Sequence, residues 1–214
     1  MTSVLRILES IEKEDGLEVS KLEKSLKLTK KVDRDSLNIA INALKKLGIV
    51  QNINDDKLTI NNDISYLQGR VRCSSKGYCF VVREDQGEDI YIREGNLNNA
   101  WHGDSVIVLI TKQGVKRRAP EGAIQCVLQR YNDFLLAKVE PDKITGELKA
   151  YPLDDRIPVT IELENEIDNH KKLPDKDLVH EIKITKYPIA QFKAKGSLIR
   201  ALSINSGQKG DIDL

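Results

Sequence analysis

The sequence predicts an α+β, mainly β fold, in which a small helical unit precedes two five-stranded barrels. Three observations carry that expectation. Apolar residues recur at helical spacing up to Leu47 and in alternation from Leu67 onward. The alternating runs are short and separated by turn-forming stretches such as "SSKG", "EDQG", "PDKITG" and "LDDR". They also fall into two successive groups of five.

The helical unit is expected over residues 1–63. Val4, Ile7, Leu8 and Ile11 mark a first helix. Ser20 followed by Glu23 forms a capping box that opens a short second helix, with Leu22 and Leu26 inward. A third helix begins in "VDRDS" and runs through Leu37, Ile41, Leu44 and Leu47 to Gly48. Then "IVQNINDDKLTINND" gives two β-like runs around "NDDK". Three helices and a hairpin are the order of a winged helix. Arg34, Asn38, Asn42, Lys45 and Lys46 would face outward from the third helix. That surface is either a nucleic-acid contact or a solvated face, and balanced charge favours the solvated face: residues 1–66 hold 11 basic and 11 acidic side chains.

The first barrel is expected over residues 66–131, with strands at 67–73, 78–84, 88–93, 104–111 and 122–129. Five short strands in this length predict a small closed barrel of the OB type. Alternation then assigns the faces. Val71, Cys73, Cys79, Val81, Ile90 and Ile92 share the interior phase. Tyr78, Phe80 and Tyr91 fall in the opposite phase, beside Arg70, Arg72, Lys76 and Arg93. Outward rings among cations waste apolar area unless something stacks on them, and nucleobases do so at ~1–3 kcal/mol each. The connection "KQGVKRRAPEG" adds Lys112, Lys116, Arg117 and Arg118, placed to meet two to four phosphates. The alternative there is a flexible basic loop without a fixed partner. Residues 67–131 are the one segment leaning positive, with 10 basic and 7 acidic side chains.

These motifs resemble a known family. "KGYCFVV" is similar to the first ribonucleoprotein motif of cold-shock domains, and "DIYIREG" to the second. "HGDSVIV" resembles the start of the fourth strand in the cold-shock domains of RNase II/RNase R exoribonucleases. Those enzymes run from a winged-helix-like segment through two cold-shock OB domains to a catalytic domain. The resemblance implies a 3′→5′ exoribonuclease parent whose catalytic domain, absent here, uses magnesium. This chain itself would be non-catalytic and need no cofactor. It would bind single-stranded RNA, with Lys76, Tyr78, Phe80 and Tyr91 as base-stacking and backbone-contacting positions. Cys79 departs from the family by replacing the glycine between the two aromatics, and Arg93 stands where histidine is frequent. The single tryptophan, Trp101, lies outside the motifs.

A second, cold-shock-like OB barrel is expected over 132–203, from "FLLAKVE", "GELKAYPL", "RIPVTIELE", "DLVHEIKITKY" and "KAKGSLIRAL". It lacks the aromatic pair. Its residues 132–195 carry 11 basic and 13 acidic side chains, so it is not expected to grip phosphate strongly by itself. Lys183, Lys186, Lys193 and Lys195 are either phosphate contacts or a solvated strand face. Residues 204–214, ending in "GDIDL", resemble the approach to the catalytic domain.

Other chemistries find little support. Asp154 and Asp155 are read as turn residues, and Asp211 and Asp213 do not form the dense aspartate motif of a two-metal nuclease. Cys73, Cys79 and Cys126 are odd in number and lack C-x-x-C spacing, so they are expected as reduced core residues. His102, His170 and His180 show no ligand spacing. No apolar run approaches the roughly twenty residues of a membrane span. A cytoplasmic protein without a membrane partner is therefore expected. Two other classes compete: a protein-interaction adaptor docking through the winged helix, and a duplex-DNA regulator using the same helix.

Overall fold

A computed structural model describes residues 3–14, 16–54, 57–63, 66–164, 178–189 and 192–203. The chain divides into two compact units, one of residues 1–73 and 77–131, the other of 132–214 with the turn residues 74–76.

The first unit begins with α1 (Val4–Lys13), capped by the Ser3 hydroxyl, which accepts from the Arg6 N–H at 3.4 Å. Its apolar stripe buries Ile7, Leu8 and Ile11. β1 (Leu17–Glu18), α2 (Val19–Ser25), α3 (Lys31–Lys46), β2 (Val50–Asn54) and β3 (Lys57–Ile60) follow, and the three strands form an antiparallel sheet in the order β1-β3-β2. This is a winged-helix arrangement. The capping box is a correction. Glu18 is extended and paired with Lys57, so α2 starts at Val19 and Ser20 falls inside it, its hydroxyl 3.5 Å from the Glu18 carboxylate. Sheet pairing overrides the local cap. α3 ends where the sequence predicts, because Gly48 takes a φ of 73° that stops the helix.

β4 (Leu67–Cys73), β5 (Cys79–Arg83), β6 (Ile90–Ile92), β7 (Ser105–Lys112) and β8 (Glu121–Gln129) close a barrel in the order β4-β5-β6-β8-β7. All neighbours are antiparallel except β6 and β8. The interior holds Val71, Val81, Ile90, Ile92, Val106, Val108 and Ile124. One apolar run reads differently from plain alternation: Val106, Ile107 and Val108 are all buried. Val106 and Val108 fill the barrel, while Ile107 and Leu128 point the other way into the core of the helical unit, beside Ile7, Leu22 and Leu44. The winged helix and the first barrel therefore share a packed seam along β7 and β8.

The second unit repeats the barrel with β9 (Phe134–Pro141), β10 (Leu148–Pro152), β11 (Ile161–Leu163), β12 (Leu178–Lys186) and β13 (Ala194–Ser203). They close as β9-β10-β11-β13-β12, with β11 and β13 parallel. Both barrels use one glycine in the same role. A Cβ on Gly122 would stand 2.6 Å from Ile90 Cγ2, and one on Gly196 2.6 Å from Ile182 Cγ2, so neither last strand tolerates a side chain there. Residues 156–160, expected within the third strand, instead form a turn and a strandless connection. The Asp154 carboxylate accepts from the Arg156 N–H at 3.0 Å and Nε at 2.8 Å, consistent with the turn role read for Asp154.

Cys73 and Cys79 are also a correction. They are directly opposed at the end of the β4–β5 ladder and form a disulfide, whereas Cys126 is free. Their phase is interior, as alternation predicts. It is register that brings the sulfurs together.

Candidate nucleic-acid interface

The outer wall of the first barrel is organised by register. Arg72 pairs with Phe80, Phe80 with Tyr91, Tyr91 with Glu121 and Glu121 with Lys112, a row across β4, β5, β6, β8 and β7. The interior residues of the same strands are Cys73, Cys79, Val81, Ile90 and Ile92, each almost fully buried. The Phe80 and Tyr91 rings are half-buried, with centroids 5.4 Å apart and planes tilted by 56°. Tyr78 shares the outer phase just before β5 and is 57% exposed. It lies within the short loop that the Cys73–Cys79 disulfide closes.

The cations do not stand alone. Arg72 meets Asp89 at 2.9 Å, and Arg93 Nε donates to Glu121 Oε2 at 3.0 Å with Nη2 2.9 Å from the same oxygen. Lys112 Nζ lies 4.0 Å from the other oxygen, Oε1. Sequence reasoning named the cations and missed both acids. Asp89 was readable, since residues 89, 91 and 93 share one phase. Glu121 was not, because only the parallel pairing of β6 and β8 brings it beside Tyr91. Exposed pairs of this kind contribute only ~0–1 kcal/mol, so a phosphate can displace such a partner.

Arg70 is outward but separate from the row. Its guanidinium lies 5.7 Å from the Tyr131 ring centroid, and Nη1 donates to the Gly103 carbonyl at 3.5 Å. Lys76 is exposed in the turn between β4 and β5. Lys116, Arg117 and Arg118 are exposed on a defined turn, not a featureless loop. Val115 N–H donates to the Arg118 carbonyl at 3.0 Å, and Arg118 N–H returns the bond at 2.7 Å.

Trp101 is buried, so the single indole is structural. Arg130 lies 5.8 Å from its ring centroid and donates to Asp104 Oδ2 at 2.9 Å. Asp104 also accepts from the Trp101 N–H at 2.8 Å and the Tyr131 N–H at 3.0 Å, tying the turn before β7 to the end of β8. Burial pushes the Asp104 carboxyl above the usual carboxylate range, opposed by Arg130 and these two N–H groups. Burial likewise raises the Cys126 thiol, which makes it a poor nucleophile.

On α3, Arg34, Asn38, Asn42 and Lys46 are exposed and Lys45 is half-buried, but Val32 and Ile39 are exposed among them at 72% and 70%. In the second barrel Lys183 is 6.0 Å from the Phe134 ring centroid, and Lys186 pairs with Glu164 at 3.2 Å. Lys193 is exposed and Lys195 half-buried. Among the described residues no group of three His, Cys, Asp or Glu side chains is placed to hold a metal ion. Asp211 and Asp213 lie outside the described residues.

These features define a class: a winged-helix unit followed by tandem OB barrels, the first with an outward aromatic row. Residues 5–61 match the family described as "Cyanobacterial RNase R, N-terminal domain", and residues 69–127 match "Ribonuclease B OB domain". In this order the two matched domains are those of the N-terminal region of the RNase R/RNase II family. A Synechocystis relative, "Acetazolamide conferring resistance protein zam", is 37% identical over 194 residues, spanning 90% of this chain and 24% of its own length. The fold is similar to Mycoplasma genitalium RNase R in complex with ribose methylated single-stranded RNA, with TM-score 0.53, 20% identity, 65% of this chain and 22% of the other. It is also similar to yeast Ssd1, a pseudonuclease, with TM-score 0.51, 16% identity, 76% of this chain and 24% of the other. The chain thus spans about a quarter of the length of the relatives it matches. No helix among the described residues is long and apolar enough to cross a membrane.

Proposed function

We propose that this chain binds single-stranded RNA on the outer wall of its first barrel. In a longer protein of the RNase R/RNase II type it would deliver that strand to a magnesium-dependent 3′→5′ exonuclease domain. One observation carries the reading: Phe80 and Tyr91 sit side by side outside a barrel whose interior is already filled by aliphatic residues. Nothing in the packing of the core requires those rings, whereas bases stack on them irrespective of sequence. The exposed Tyr78 and the turn of Lys116, Arg117 and Arg118 extend the surface with a further ring and phosphate-meeting charge. The single-stranded RNA held by the Mycoplasma relative supports the same ligand. Fluorescence anisotropy with single-stranded RNA, single-stranded DNA and duplex at two salt concentrations tests it. Tight binding to the unstructured strand is expected, and equal weak binding to all three would overturn it.

The exposed Val32 and Ile39 on α3 favour a second role for the winged helix, that of docking a protein. They interrupt the polar face that duplex recognition through Asn38 and Asn42 would need. Substituting Asn38 and Asn42 with alanine should therefore leave RNA binding unchanged and reveal no duplex preference.

A further inference from the structure

Glu121 is the group next to Tyr91 that stacking does not explain. The two residues are register partners on the parallel strands β6 and β8, and both side chains belong to the outer wall. Strands in a sheet lie ~4.8 Å apart, so a base stacked on Tyr91 extends its edge over the neighbouring strand. The carboxylate there is held through one of its two oxygens. Arg93 holds Oε2 through two nitrogens at 3.0 and 2.9 Å, while among the described residues Oε1 has only Lys112 Nζ, at 4.0 Å. Oε1 is thus left with acceptor capacity beside the stacking ring.

We infer that Glu121 reads the edge of the base stacked on Tyr91 and favours bases carrying an exocyclic amino group over uracil. This rests on the RNA-binding reading above. A carboxylate only accepts hydrogen bonds. Cytosine offers its N4 amino hydrogens and adenine its N6 amino hydrogens, each a donor with a partial positive charge. The corresponding position of uracil is a carbonyl oxygen, which the carboxylate repels. A bare ion-pair role for Glu121 predicts no such discrimination, because Arg93 and Lys112 are blind to the base.

The test uses the full chain and 5′-labelled oligocytidylate and oligouridylate, two pyrimidine strands that stack weakly on themselves, at one fixed salt concentration. Wild type should bind oligocytidylate roughly tenfold more tightly, the scale of one good charged contact to a base edge. Glu121→Gln should bring the two within about twofold of each other, since its amide offers a donor as well as an acceptor. An oligomer of N4,N4-dimethylcytidine, which keeps the ring and loses the donors, should bind wild type like oligouridylate; this needs no variant and so stands even where Glu121→Gln folds poorly. Binding of all strands without discrimination, or a preference that survives Glu121→Gln in a folded protein, overturns this inference alone. Absence of binding to every strand overturns the RNA reading and this inference together.

Discussion

Truncating Phe80 to alanine separates the stacking surface from the fold beneath it. Phe80 occupies the middle of the row, opposite Arg72 on one side and Tyr91 on the other. Two quantities set the outcome. A base stacked on an aromatic ring contributes ~1–3 kcal/mol, which corresponds to an affinity loss of ~5- to 150-fold when the ring is removed. Against the fold, the change removes a ring pair at 5.4 Å. Such pairs contribute ~0.5–1.5 kcal/mol beyond their buried area. The interior positions of β5, Cys79 and Val81, are untouched. The barrel should therefore remain folded with a melting temperature lowered by several degrees, while RNA affinity drops by at least about fivefold. Tyr78→Ala is a companion with less cost to stability, since that side chain is 57% exposed. Anisotropy with an unstructured RNA gives the affinity, and circular dichroism with thermal melting gives the fold. An unchanged dissociation constant in a folded Phe80→Ala protein would refute the stacking argument, and with it the assignment of this wall as the landing surface.

Other consequences follow from the charges and the interior. Replacing Lys116, Arg117 and Arg118 with alanine should weaken binding alike for all sequences. At ~0.7 per phosphate contact for a single strand, it should also flatten the slope of log K against log salt by about 2. Lys112 is left out of that sum because it sits near Glu121. Reducing the Cys73–Cys79 disulfide, which closes a loop of sequence separation 6, should lower stability by about 2 kcal/mol in the chain-entropy account. Denaturant titration with and without a phosphine reductant, alongside thiol counting, checks this. His180 is buried in β12, and burial holds its imidazole below the ordinary value of 6.5. Above that value both folded and unfolded chains carry it neutral. As pH falls below it the unfolded chain protonates first, so the second barrel should lose stability between pH 7 and 5, and His180→Leu should flatten that dependence on melting.

Much of this surface was readable from two-residue periodicity. The phase that sends Val71, Val81, Ile90 and Ile92 inward also sends Phe80 and Tyr91 outward, and both halves of that inference match the structure. Alternation needs no knowledge of strand partners. Features created by pairing were out of its reach: the two-residue β1 that displaces the capping box, the Cys73–Cys79 disulfide, and Glu121 beside Tyr91. Ile107 shows the same limit, since an outward residue stays buried when another domain covers it. Trp101 precedes β7, and its buried contact with Arg130 depends on the end of β8, far along the chain.

The seam at Ile107 and Leu128 makes the first barrel lopsided. Helices cover β7 and β8 at Ile107 and Leu128 but leave their far ends, at Lys112 and Glu121, open, so under the proposed function a strand has a narrowed outer wall to lie along. It also means that the smallest portable piece is residues 1–131, since a fragment starting at Leu67 would trade an internal joint for a greasy stripe and invite self-association.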